Sequence, residues 1–350
     1  MLVEELNPDL RLLLGPGPSP VHPRVLKAMS SHVIGHLDPY FLKVMDDCQS
    51  MLRELFNTKN QVTFPVSGTG SAAMEASICN VIEEGDKAVI CINGVFGERM
   101  ADVADRFGAE VIRVEAPWGQ PIDPSDLQEA LKSNPGVTLV GIVHAETSTG
   151  VLQPIEEIGE ICREHDALLL LDCVTSLGGV PVEIDKWGVQ IAYSGTQKCL
   201  SCPPGVAPIT FGERALGKVR ERKNKVTSWY FDVSMVEKYW GNDRVYHHTG
   251  PITMNYAIRE ALRIIFDEGL ENRFARHKEV SLALQKGVEA LGLSMFAKEG
   301  SRTPTLNTIS LYDGLDDGAI RKTLLNDFNI EIGGGLGPLA GKIWRVGMMG

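Results

Sequence analysis

Long hydrophobic runs are missing from this sequence: no apolar stretch approaches the roughly 20 residues that span a bilayer, so no membrane partner is expected. A basic excess is missing too. Lysine plus arginine number 34 against 45 aspartate plus glutamate, a net charge of −11, which argues against bulk attraction to phosphodiester backbones and against nucleic acid as a partner. The start, Met1-Leu2-Val3-Glu4-Glu5, lacks the basic residues and apolar stretch of a secretory signal, and the seven cysteines are an odd number without small-module spacing. Free thiols in a reducing compartment, the cytoplasm by default, are the expectation; for a eukaryotic source the peroxisome or another organelle stays open. No internal repeat or low-complexity segment is visible, and no metal site is expected. Cys199 and Cys202 form a CxxC without a second pair, followed at once by Pro203-Pro204. His32 and His36 have Gly35 between them and no glutamate at the catalytic position. Both pairs read as structural.

What is present is length and pattern. With 350 residues, 43% hydrophobic and 23% charged, the chain is long enough for a sizeable core and about two domains. Apolar runs at 87–92, 109–114, 138–144, 167–172, 190–194 and 206–211 read as strands. Helical patterns fall near 38–57, 70–83, 96–107, 124–132 and 154–165, so the fold class is α/β, a mostly parallel sheet with crossover helices. Ala167 to Leu171 is apolar throughout, as a central strand covered on both faces should be. Long helices over 255–268 and 270–291 change the pattern. The reading divides the chain into an N-terminal arm (1–20), a large domain (21–254) and a smaller C-terminal domain (255–350). The last stretch, Ile343 to Gly350, reads as a strand without a following element, as if the chain were shorter than its natural form.

Gly68-Thr69-Gly70-Ser71-Ala72-Ala73 matches GxGxxA, yet Pro65 should interrupt the preceding strand. The acids that follow, Glu83, Glu84 and Asp86, precede the next strand, whereas a ribose-binding acid should end it. A nicotinamide site is therefore disfavoured. Ser67 to Ser71 suits phosphate instead, with glycine-permitted amides and three hydroxyls at a helix start. Asp172 ends an apolar strand at the ligand-binding end of the sheet, and Lys198 follows the next strand in a small, polar loop. A phosphate cradle, a buried aspartate and a loop lysine in this order are what pyridoxal 5'-phosphate requires. The lysine binds it covalently, the aspartate keeps the pyridine nitrogen protonated, and the nest fixes the phosphate.

With those residues on the page, the sequence resembles the class V, fold-type I aminotransferases, in particular the alanine–glyoxylate and serine–pyruvate (serine–glyoxylate) group. Collinear matches include Gly15-Pro16-Gly17-Pro18-Ser19, Ser67 to Ser71, Ser148 to Pro154, Asp172, Ser194-Gly195-Thr196-Gln197-Lys198, Tyr246-His247-His248-Thr249, Gly334 to Pro338 and Trp344-Arg345-Val346-Gly347. The resemblance implies a large domain with a seven-stranded sheet, a small α+β domain and a homodimer with composite active sites. It implies Lys198 and Asp172 as catalytic, Val174 beneath the cofactor ring, and Thr69, Gly70, Ser71 and Gln197 on the phosphate, joined by Tyr246 and Thr249 of the second subunit. Thr147 would lie near ring and substrate, Gly17 in the substrate site, and Arg345 on the substrate carboxylate; Arg345 could instead pair with Glu331. Phe96 stands where the family usually stacks a tryptophan, and Ser71 where it often has histidine. The implied activity is ping-pong transfer of an amino group from alanine or serine to glyoxylate or pyruvate. Alternatives are a ureidoglycine–glyoxylate aminotransferase, a lyase such as a cysteine desulfurase, and a silent paralogue. The family also continues with another helix past the position of Gly350.

Overall fold

The computed structural model describes residue 3 and residues 5–350. After a two-residue strand, β1 (Leu12–Leu13), come helices α1 (Pro23–Met29) and α2 (Pro39–Leu55). Each helix opens on a first-turn proline behind a capping side chain, His22 accepting from the Arg24 amide and Asp38 from that of Tyr40. The chain then alternates through β2 (Val62–Ser67), α3 (Gly70–Val81), β3 (Lys87–Ile92), α4 (Val95–Arg106), β4 (Glu110–Glu115), α5 (Pro124–Ser133) and β5 (Val137–Val143). A small hairpin, β6 (Ala145–Glu146) with β7 (Val151–Leu152), leads to α6 (Glu156–Glu164), β8 (Leu168–Asp172), α7 (Ile184–Trp187), β9 (Ile191–Tyr193), β10 (Val206–Phe211), α8 (Glu213–Arg220) and α9 (Val233–Trp240). Long helices α10 (Ile252–Glu268) and α11 (Leu270–Ala290) precede β11 (Ser294–Met295), β12 (Leu306–Ser310), α12 (Asp317–Phe328), β13 (Ile330–Glu331), β14 (Gly333–Gly334) and β15 (Ile343–Gly347).

The large sheet has seven strands in the order β2-β10-β9-β8-β5-β3-β4, and only β10 runs against the rest. The α/β class and mostly parallel sheet expected from the sequence are present. β8, apolar from Leu168 to Leu171, takes the centre and is buried at every position. One expectation needs correction: Pro65 does not interrupt β2. The register sets Pro65 opposite Pro208, whose carbonyl bonds to Ser194 on the far side. The two prolines thus form a non-hydrogen-bonded pair, and the donor Pro65 lacks would have faced the open edge of the sheet.

A second sheet, β11-β12-β15-β14, packs with α11. The expected division after residue 254 falls within the first turn of α10, whose Ala257, Ile258, Ala261, Leu262 and Ile265 are buried in the same core as the seven-stranded sheet. The N-terminal arm is tied to the second body, because β1 pairs in parallel with β13, Leu12 opposite Ile330. No helix among the described residues is long and apolar enough to cross a membrane.

Candidate active site

β2, β3, β5, β8 and β9 point the same way, and their carboxyl ends deliver Gly68–Ser71, Phe96, Glu146–Thr147, Asp172 and Lys198 to one end of the sheet. Asp172 terminates the central strand and is buried. Its Oδ1 accepts from the Val174 amide at 2.8 Å and its Oδ2 from the Tyr193 hydroxyl at 2.7 Å. Burial pushes this carboxyl up to about 6; the two hydrogen bonds pull it back, and Glu146 and Lys198 act on it in opposite senses.

Lys198 is only 7% exposed, and its main chain is gripped from two directions. Ser19 donates its hydroxyl to the Lys198 carbonyl at 2.6 Å and its amide to that of Gln197 at 2.8 Å. Arg273 donates to the next carbonyl, of Cys199, and to that of Gly178 at 2.8 Å. The Lys198 ammonium donates to the Pro16 carbonyl, and a Cβ added to Gly17 would lie 2.7 Å from Nζ. Burial and then the charge of Arg345 lower the amine to about 8, within reach of a neutral nucleophile near physiological pH.

At the phosphate loop, Gly68 takes φ +143°, and a Cβ there would strike Ala72 at 2.5 Å. Thr69 stands at the start of α3 but its side chain caps nothing, and the amides of Thr69, Gly70 and Ser71 find no acceptor among the described residues. Gly70 adjoins Val174, to which an added Cβ would come within 3.2 Å. Gln197 Oε1 is buried without a partner.

Arg345 sits on β15, 7% exposed, and donates from Nε to the Gly334 carbonyl at 2.7 Å. It forms no ion pair among the described residues, so the alternative of a Glu331 partner is not realised, and burial brings it down to about 10. Thr147 is buried, with its hydroxyl 2.6 Å from that of Thr175. Phe96 occupies the first turn of α4, half-buried. Tyr246, 54% exposed, and Thr249, also exposed, lie 3.5 Å apart through their hydroxyls and make no hydrogen bond to the loop in their own chain. Between them, His248 reaches Ser67 at 2.8 Å.

Sequence reasoning missed Glu146. Its Oε2 accepts from the amides of Phe96 (3.1 Å) and Gly97 (3.3 Å), and its Oε1 from the amide (2.9 Å) and hydroxyl (2.6 Å) of Ser148. A fully buried carboxylate thereby caps α4 and fixes the backbone that carries Phe96. The sign was available: like Asp172, Glu146 is an acid just beyond an apolar strand.

The donor set fits pyridoxal phosphate. The unused amides and the Thr69 hydroxyl suit its phosphate, buried Asp172 suits its ring nitrogen, and depressed Lys198 suits its aldehyde. The aminotransferase class-V family model matches residues 11–339. An alanine–glyoxylate aminotransferase structure from Nostoc sp. superposes with a TM-score of 0.98 at 51% identity, covering 100% of this chain and 93% of that one. The (S)-ureidoglycine–glyoxylate transaminase of Bacillus subtilis (strain 168) is 43% identical across 99% of this chain and 87% of its own, and the alanine–glyoxylate aminotransferase of Drosophila melanogaster 42% identical across 97% and 87%. The chain therefore belongs to the class V aminotransferases, pyridoxal-phosphate enzymes of fold type I.

Proposed function

We propose that this aminotransferase moves the amino group of a small 2-amino acid, alanine or serine, to glyoxylate or pyruvate in a ping-pong cycle. The observation that carries the substrate class is Arg345: a buried guanidinium with no acidic partner is costly unless a carboxylate arrives to meet it. Amino acid and oxo acid both bring one, and a planar fork grips it bidentately. The other buried arginine among the described residues, Arg273, is already paired with Glu268 at 2.7 Å, which leaves no second unpaired buried arginine for an ω-carboxylate and favours short, uncharged donors.

In this reading Thr69, Gly70, Ser71 and Gln197 hold the cofactor phosphate, Asp172 faces the ring nitrogen, and Phe96 and Val174 bound the ring. When bound, the cofactor supplies an electron-withdrawing ring that makes the Cα proton of the donor acidic. Lys198 Nζ takes that proton and returns it in the second half of the cycle. Gly17 and Thr147 line the substrate space beside Lys198. The reading includes a homodimer in which Tyr246 and Thr249 reach the partner's phosphate; their exposure, and hydroxyls that bond only to each other among the described residues, support it. A cytoplasmic setting is supported by seven unpaired cysteines.

A second reading, ureidoglycine as donor, is favoured by the likeness to the Bacillus enzyme. A cysteine desulfurase would need a reactive thiol, whereas all seven cysteines are buried and Cys199 is pushed up to about 12. The test adds one amino acid at a time to the holoenzyme and follows loss of the cofactor's visible absorbance. Rapid conversion by alanine or serine supports the proposal; conversion by ureidoglycine alone selects the second reading, and inertness to all three overturns both.

A further inference from the structure

The phosphate cradle just described is made of amides, hydroxyls and one carboxamide, and it holds no charge. A phosphate monoester carries close to two negative charges at neutral pH, and charge-assisted hydrogen bonds are about twice as strong as neutral ones. His248, bonded to Ser67 at the head of the loop, does not supply the missing charge. Burial, and then the neighbouring His247, hold its imidazole near 4, so it is neutral under physiological conditions.

Arg99 is the cation the structure sets beside the loop. It lies one helical turn beyond Phe96 on α4, with its guanidinium carbon 4.9 Å from the centre of the Phe96 ring. Its Nη1 points to the Ser71 hydroxyl, 3.5 Å away. The acids nearest to it along the helix are already engaged, Glu98 by Arg113 at 2.7 Å and Asp102 by Arg106 at 2.9 Å, and Arg99 itself forms no ion pair among the described residues. An exposed arginine ordinarily wanders. Here contact with an aromatic face restrains the guanidinium, so less freedom is left to lose when it meets an anion.

We propose that Arg99 is the charged ligand of the cofactor phosphate, donating to its oxygens beside Ser71 while resting against Phe96. Phe96 then has two tasks, bounding the cofactor ring and supporting the arginine. The proposal rests on the pyridoxal-phosphate reading of the site and adds a residue that neither the loop motif nor the sheet topology singles out.

The test uses full-length chain stripped of cofactor, as wild type, Arg99→Gln and Arg99→Lys, titrated with pyridoxal phosphate and with pyridoxal, which lacks the phosphate. Inorganic phosphate is added as a competitor. Arg99→Gln is expected to weaken pyridoxal-phosphate binding roughly tenfold to a hundredfold, the usual worth of a hydrogen bond to a charged group. Competition by inorganic phosphate should largely vanish, affinity should lose part of its dependence on salt, and pyridoxal binding should stay within about twofold of wild type. Arg99→Lys should recover part of the loss, because charge is kept while the fork is not. Equal weakening of pyridoxal and its phosphate would show Arg99 acting through the Phe96 ring, and unchanged binding of both would show no role; either result overturns the proposal. Wild-type chain that binds neither compound would overturn the cofactor reading and this inference with it.

Discussion

Arg273, from α11 of the smaller body, donates from Nη2 to the carbonyl of Cys199 at 2.5 Å, one residue beyond Lys198. Its Nη1 is paired with Glu268 at 2.7 Å, so the guanidinium is fixed at both ends. Arg273→Lys keeps the charge and gives up the fork. The expected outcome is a folded protein in which the pH at which Lys198 captures cofactor has moved, measured by stopped-flow absorbance across pH. An unchanged profile would mean the loop holds its shape without this contact.

Lys198→Ala should abolish multiple turnover while leaving the circular dichroism spectrum intact. Gly17→Ala is a subtler probe of the same amine. The glycine has φ +109° and faces Lys198 at a distance no Cβ tolerates, so the methyl must displace the lysine side chain. A fall in kcat of at least tenfold with little change in the loaded fraction is expected.

The pH profile of cofactor capture follows from the same environment. Only the neutral amine reacts, and Lys198 loses its proton near 8. The capture rate should therefore climb as pH rises through about 8. Removing the positive charge of Arg345 by Arg345→Gln relieves part of the depression and should move the midpoint upward. A downward shift would contradict the placement of Arg345 beside the amine.

Asp172 carries a stability cost that can be measured in cofactor-free protein. Its carboxyl titrates near 6 when folded, against an ordinary value of 3.8, so the native state binds the proton more tightly than the unfolded state between those values. Stability from this group is present below pH 4 and lost as pH rises through 6. Asp172→Asn should then be more stable than wild type at pH 7, by on the order of 2–3 kcal/mol, and the gap should close toward pH 4. Urea midpoints across pH read it directly, and single-turnover amino transfer should be slowed by orders of magnitude in the same variant.

Exchange of chains tests the composite site. Lys198→Ala chains mixed with a Tyr246→Phe, Thr249→Ala double variant should yield heterodimers with one intact site. Activity at limiting cofactor should exceed the sum of the parents. Verified heterodimers without added activity would assign all three residues to one chain's site.

The sheet was legible because its strands are short apolar runs with little ambiguity of period. β3 and β10 fall on their expected residues, and Asp172 announces itself as a charge closing such a run. β2 was misread because a proline inside a strand is a break in any local reading, and only the edge position and its pairing with Pro208 remove the objection. Glu146 and Arg99 escaped for opposite reasons. One is a buried acid that also accepts from main-chain amides of a distant segment, and the other has the pattern of an ordinary solvated helix face. Glu146 at least follows an apolar strand, a position that marks it out; the placing of Arg99 beside Ser71 is made only by the packing of α4 against the loop.

The pairing of β1 with β13 has a consequence for the order in which the enzyme matures. Leu12 leaves the ribosome more than three hundred residues ahead of Ile330, so this ladder, with its very long sequence separation, closes only after the whole of the seven-stranded sheet has been synthesised. Pro16, Gly17 and Ser19, which surround Lys198, follow directly from that strand. The large sheet can assemble during synthesis, but the pocket of its lysine is finished afterwards, by the joining of β1 to a strand that lies beyond the whole of that sheet in the sequence.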